Sequence, residues 1–161
     1  IATGDLTIRG PVTYNAFSRF VAGGRLVLSG EIRGEHGLFY AGGDLTIDGK
    51  EPFSGQFLSG KGITISSSTY LKYPSVVYFK GSTEKGIRKG RLEVSGSSIV
   101  EGTIMIPAPG EVISQDESRL VVGEGATVRG SIYNTGQTEL HGEVLGSLLT
   151  LQFYFYRSPT A

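Results

Sequence analysis

Gly43-Asp44-Leu45-Thr46-Ile47-Asp48-Gly49 is a short strand bracketed by glycines, and the chain says it again and again. The same phrase reads Gly4-Asp5-Leu6-Thr7-Ile8-Arg9-Gly10, Gly24-Arg25-Leu26-Val27-Leu28-Ser29-Gly30 and Gly90-Arg91-Leu92-Glu93-Val94-Ser95-Gly96. Looser copies are Gly62-Ile63-Thr64-Ile65-Ser66 and Arg119-Leu120-Val121-Val122-Gly123. Apolar residues keep a period of two, so each copy presents one apolar face as a strand does. Leu6 and Ile8, or Leu92 and Val94, are expected to face inward, with Thr7, Arg9, Glu93 and Ser95 toward water. A unit that recurs along a chain stacks on itself, because a single copy cannot bury its own apolar face.

The spacing decides the architecture. Leu6, Leu26, Leu45 and Ile63 are separated by 20, 19 and 18 residues. The beat then loosens through Val76-Val77-Tyr78-Phe79. Leu92 to Leu120 is 28 residues, which calls for an extra strand or loop around residues 103–110. It resumes near Thr138-Glu139-Leu140. Second short strands follow the first, as in Gly30-Glu31-Ile32-Arg33-Gly34 and Gly142-Glu143-Val144-Leu145-Gly146, each opened by a glycine suited to a corner. A period of this length fits one coil of a three-sided β-solenoid, and coils about 4.8 Å apart leave room for about eight. The expectation is an all-β, single-domain, right-handed parallel β-helix over residues 1–148, followed by an aromatic-rich strand or cap over 149–161.

Composition narrows the function classes. The 161 residues include 25 glycines, far above the roughly 7% of average usage, yet 39% are hydrophobic, which argues against disorder. Fifteen Lys and Arg balance fifteen Asp and Glu. Zero net charge disfavours a nucleic-acid partner, whose affinity comes largely from phosphate neutralisation, and it leaves self-association unopposed. With no cysteine there is neither a disulfide nor a thiolate zinc site. No apolar run is long enough for a transmembrane helix. A chain that opens on Ile1 without a basic-then-apolar leader reads as a piece of a longer one.

Few residues carry a chemical signal. His36 and His141 lack partners at metal-ligand spacing, and neither a metal nor a cofactor is expected. Asp5, Asp44 and Asp48 recur near strand starts, where a β-helix that cleaves polysaccharide could place carboxylates. With Arg25 between Asp5 and Asp44, the simpler reading is charge pairing across parallel strands. Lys80, Lys85, Arg88, Lys89 and Arg91 form the one dense basic cluster, a candidate patch for an anionic partner or else a solvated loop. Phe17, Phe20, Phe39, Phe57 and Phe79 are expected to stack as an internal ladder. The tail is different in kind: Leu149, Leu151, Phe153 and Phe155 share one strand face, Tyr154 and Tyr156 the other.

The stretch from Leu120 to Tyr133, Leu-Val-Val-Gly-Glu-Gly-Ala-Thr-Val-Arg-Gly-Ser-Ile-Tyr, with Glu139-Leu140-His141-Gly142-Glu143-Val144-Leu145-Gly146-Ser147-Leu148, resembles the repeat of the bactofilins. These are polymer-forming bacterial cytoskeletal proteins with a right-handed parallel β-helix. The resemblance implies a non-enzymatic structural domain that associates with copies of itself or another envelope protein. It also implies a bacterial setting, either membrane-associated cytoplasm or the extracytoplasmic envelope. A solenoid end must be capped or joined, and the tail residues Leu149, Leu151, Phe153, Tyr154, Phe155 and Tyr156 are the candidates for that contact. The irregular 50–90 region and the Pro107-Pro109 loop depart from a uniform repeat. They keep two alternatives open: a secreted or pilus-associated module that binds polysaccharide or another polymer, and a polysaccharide lyase or hydrolase.

Overall fold

The computed structural model describes residues 1–66, 68–108 and 115–155. The chain begins with β1 (Leu6–Arg9), β2 (Val12–Tyr14) and β3 (Arg19–Ala22), and repeats that course with β4 (Leu26–Gly30), β5 (Ile32–Gly34) and β6 (Gly37–Ala41). A third pass holds β7 (Asp44–Gly49), an isolated bridge at Phe53, and β8 (Gly55–Ser59); a fourth holds β9 (Gly62–Ile65) and β10 (Tyr70–Phe79). A hairpin of β11 (Ser82–Glu84) and β12 (Ile87–Lys89) interrupts the winding before β13 (Arg91–Val94) and β14 (Ile99–Ile106). A second excursion carries β15 (Gln115–Asp116). The winding then ends with β16 (Arg119–Val122), β17 (Thr127–Leu140) and β18 (Glu143–Phe155).

The protein is all-β, and its principal sheet of 13 strands is parallel at every pairing. That sheet wraps around the core instead of lying open. β17 shows how: residues 127–134 pair with β14 on both sides of Gly130, and residues 137–140 pair with β16, so one bent strand serves three faces. The architecture is solenoid-like, with three narrow faces that we call first (β1, β4, β7, β9, β13, β16), second (β2, β5) and third (β3, β6, β8, with the ends of β10 and β14). The later long strands turn the corner from second face to third.

The glycine-bracketed phrases stack in register. On the first face Leu6, Leu26, Leu45, Ile63, Leu92, Leu120, Thr138 and Phe153 form one column, so the beat expected near Thr138 falls at Thr138 itself. Ile8, Leu28, Ile47, Ile65, Val94, Val122 and Leu140 form the next inward column. From the third face come Phe20, Phe39, Phe57, Val77, Ile104, Ile132 and Leu148. Phe20, Phe39 and Phe57 stack at 5.0 and 5.1 Å with nearly parallel rings, which is the internal ladder. Phe79 is buried but stands in register with Ser59, one column away from the ladder, and Phe17 sits 87% exposed in the turn between β2 and β3, so neither takes part. Each fully buried side chain of this size stabilises the fold by about 1.5–3 kcal/mol.

Glycine is required where second face meets third. Gly102, Gly130 and Gly146 lie above one another in the ladder with φ of +145°, +147° and +154°. A Cβ at Gly130 would run into the carbonyl oxygen of Gly102, and one at Gly146 into that of Gly130. The backbone of each rung therefore rests directly on the rung before it. Gly130→Ala is expected to lower stability by about 3 kcal/mol in urea denaturation, combining backbone strain with overpacking. Ser131→Ala, on the outer surface next door, should stay within about 0.5 kcal/mol of the parent. An unchanged midpoint for Gly130→Ala would refute this corner geometry.

Candidate functional site

Chemistry-bearing side chains gather at the C-terminal end of the winding, in three groups. The first is the tail. β18 crosses residues 148 and 149 without a break, pairing with β17 from Thr127↔Glu143 to Leu140↔Phe155. A register shift between Asn134 and Gln137 bends the strand, and the bend divides the tail residues expected to share one face. Leu149 pairs with Tyr133 on the outer surface, while its neighbour Leu148 points into the core above Ile132. Phe153, beyond the bend, stands over the inward position of Thr138. Leu149, Leu151, Phe153 and Tyr154 are 64%, 75%, 46% and 48% exposed. The Phe155 side chain and Tyr156 lie outside the described residues.

The bend has its own polar support. Asn134 donates to the Gln137 carbonyl and the Thr138 hydroxyl, both at 2.9 Å, and accepts from the Gly136 N–H at 2.8 Å. Thr138 and Thr150 hydroxyls lie 2.9 Å apart. Asn134 and Thr138 are both buried, so these bonds satisfy groups that water does not reach.

The second group is the basic cluster. Lys85 and Gly86 both take positive φ, +51° and +77°, between the paired Glu84 and Ile87, the two-residue turn favoured in hairpins. The segment read as an exposed loop is therefore a β-hairpin, and it dismantles the run of cations. Arg88 is fully buried. Its Nε donates to the Lys80 carbonyl at 2.9 Å, and Nη1 donates to Asp116 Oδ2 at 3.1 Å and Thr135 Oγ1 at 3.3 Å. Asp116 in turn accepts from the Ser118 N–H and hydroxyl. One guanidinium thus ties the hairpin, the second excursion and the bend of β17 together. Lys80 and Lys85 remain exposed, Lys89 lies 3.9 Å from Glu117, and Arg91 lies 3.0 Å from Glu93. Alternation explains the split: Arg88 and Lys89 are adjacent on one strand and must face opposite ways.

The third group was not legible as a unit in the sequence. Arg91, Arg119 and Gln137 are consecutive partners in the first face's ladder, and with Gly90, Gln115 and Glu117 they line a cleft of about 430 Å³. Arg119, Gln137, Glu139 and Tyr154 line a smaller one beside it. Arg119 reaches Glu139 at 3.3 Å, and His141 Nε2 lies 2.8 Å from Glu139 Oε1. The bond to His141, with the charge of Arg119, holds the Glu139 carboxyl below its ordinary range. Residues separated by 20 or 28 positions become neighbours only when the rungs stack.

The remaining candidates are dispersed. Asp5 pairs with Arg25 at 3.6 Å and accepts its backbone N–H at 2.7 Å, the first of the two steps expected of the Asp5-Arg25-Asp44 ladder. Asp44 stands in register with Gly62 and Asp48 with Ser29, both exposed. His36 occupies a turn with φ +59°. Among the described residues no group of three or more His, Asp or Glu is placed to hold a metal ion. No family model, curated protein or solved structure matches the chain.

Two outcomes follow from the charged groups. Asp116→Ala strands a buried guanidinium and should cost about 3–5 kcal/mol in denaturant unfolding. The paired change Arg88→Met/Asp116→Leu should recover most of that loss, and an Asp116→Ala protein as stable as its parent would refute the staple. For Glu139 the folded carboxyl titrates below its unfolded value, so its contribution is complete above the ordinary carboxylate range and is lost as pH falls through the folded value. Thermal melts should therefore show a gap between parent and Glu139→Gln at neutral pH that closes in acid. A gap that widens in acid would contradict the assignment.

Proposed function

We propose that the windings form a right-handed, three-sided parallel β-helix of about eight coils, and that this domain is a non-enzymatic assembly unit of the bacterial cytoskeleton or envelope. Parallel crossovers of one hand dominate known sheets, which supports the handedness. The observation that carries the assembly reading is where the core is uncovered. The partly buried hydrophobics packed against it are Leu6, Ile8, Val12 and Phe20 in the first winding and Leu140, Val144 and Leu148 in the last. Every intervening column is sealed by the rung on either side.

The ends are matched in kind. Among the described residues β18 pairs only with β17, and β1 only with β4, so each carries a strand edge with no described partner beside open apolar side chains. An edge of that sort is a template for another strand. Placing the last winding of one copy against the first winding of the next continues both the hydrogen-bond ladder and the aliphatic columns. That contact is head-to-tail and joins unlike surfaces, so it propagates as a filament unless a rotation closes it. The resemblance to bactofilins points the same way.

Light scattering and negative-stain electron microscopy test this. The parent chain should form filaments or defined oligomers as concentration rises. Leu151→Lys/Phe153→Lys, at two exposed positions of the last winding, should weaken association at least about tenfold, or ~1.4 kcal/mol per contact, with the thermal midpoint little changed. A parent that stays monomeric at high concentration would remove the reading.

A further inference from the structure

The third face has an outer surface unlike the rest of the molecule. Val21, Tyr40, Leu58, Tyr78, Met105, Tyr133 and Leu149 are consecutive register partners, one per rung, and form a single outward column along the whole winding. Tyr40 and Tyr133 are 41% and 39% exposed, and Tyr78 between them is half-buried. The adjoining outward column opens on Arg19 and Leu38 and continues through Gln56, Val76, Thr103, Ser131 and Ser147, so it is uncharged from Leu38 onward. Within the face, Arg19 of the first rung is the one charged side chain, since residues 37–41, 55–59, 75–79, 102–106, 130–134 and 146–150 include none. The ion pairs lie on the other faces, at the turns and in the hairpin. Contiguous apolar surface of this extent on a soluble protein marks a contact site.

We propose that this face is a docking platform for a neutral, extended β-1,4-linked polysaccharide, whose sugar rings lie on Tyr40, Tyr78 and Tyr133. The tyrosines occupy alternate rungs. With rungs about 4.8 Å apart, they recur at about 9.6 Å in a straight line. In a β-1,4-linked chain successive rings are flipped by half a turn, so the same ring face recurs every second sugar, at a closely similar interval. A tyrosine offers a flat apolar body for the C–H face of a sugar and a polar tip for its hydroxyls. Gln56, Thr103 and Ser131 flank that line and can bond equatorial hydroxyls. The absence of charge from the second rung onward, where the tyrosines lie, suits a neutral polymer and gives no counter-ion there for a phosphate or uronate backbone.

A second copy packed face to face is the competing occupant. The face is about 34 Å long and 16 Å wide, so a pair would bury on the order of 1,000 Å², the lower limit for a stable interface. The alternation of tyrosine with leucine or methionine at a fixed two-rung interval favours the polysaccharide. The inference does not rest on end-to-end assembly.

Depletion from solution by microcrystalline cellulose and by chitin, in separate arms with polygalacturonate as the acidic control, tests the platform. The full chain should bind at least one neutral polymer and leave polygalacturonate in solution. Tyr78→Ala should weaken binding about tenfold, Tyr78→Phe should retain most of it, and Tyr40→Ala/Tyr133→Ala should weaken it further. Circular dichroism checks that each variant folds; should the double variant unfold, Tyr133→Ala alone, at an exposed position, carries the comparison. Leu151→Lys/Phe153→Lys should bind like the parent, which separates this platform from the end contacts. Failure of the parent to bind either polymer would overturn the proposal, as would unchanged binding by the tyrosine variants. Sedimentation in which the tyrosine variants dissociate a dimer of the parent would overturn it too, by assigning the face to a second copy.

Discussion

Successive rungs touch backbone to backbone at the corner of Gly102, Gly130 and Gly146, and the rest of the molecule follows from that contact. Rungs held at β-sheet spacing bring like side chains directly over one another, because parallel in-register pairing leaves no freedom to slip. Leucine then meets leucine or isoleucine down the first face, and phenylalanine meets phenylalanine down the third. The core is a set of columns, each side chain sealed by the one above and the one below. Only the first and last members of a column are left open.

The same rule orders the surface. An outward residue acquires as neighbours the residues one period away, whatever their chemistry. Where those are arginine and glutamate, the result is the charged ladder of Arg91, Arg119, Glu93 and Glu139 with its clefts. Where they are tyrosine, leucine and methionine, the result is an uncharged apolar stripe. The two surfaces lie on different faces of one winding, so a single domain can carry a contact along its side and a different one at its ends.

The described parts of the two departures from the repeat share one anchor. The hairpin before β13 and the excursion before β16 add residues between rungs without disturbing register, since Leu92 and Leu120 still align. Arg88 supplies the anchor, reaching Lys80, Asp116 and Thr135 from a fully buried position. A buried ion pair of this type is a poor source of net stability, and its value here is in holding two insertions to one place.

Much of the fold was legible in the sequence, because parallel strands stacked in register write their period into the chain. The intervals from Leu6 to Ile63, the glycines at the corners, and the recurrence near Thr138 are local facts that stacking makes global. The aromatic ladder was legible too, apart from Phe17, which lies outside a strand, and Phe79, which is two residues past the ladder position held by Val77 and stands in register with Ser59. What only the tertiary structure decided are the relations that depend on bends and insertions. Leu149 and Phe153 parted company because a register shift at Asn134 turns the strand between them. Arg88 left the surface because a two-residue turn set the phase of its hairpin. The tyrosine column emerged because intervals of different length, from Tyr40 to Tyr78 to Tyr133, cover the same number of rungs. Sequence separation records chain length, whereas adjacency in this molecule is counted in rungs, and the insertions break the proportion between the two.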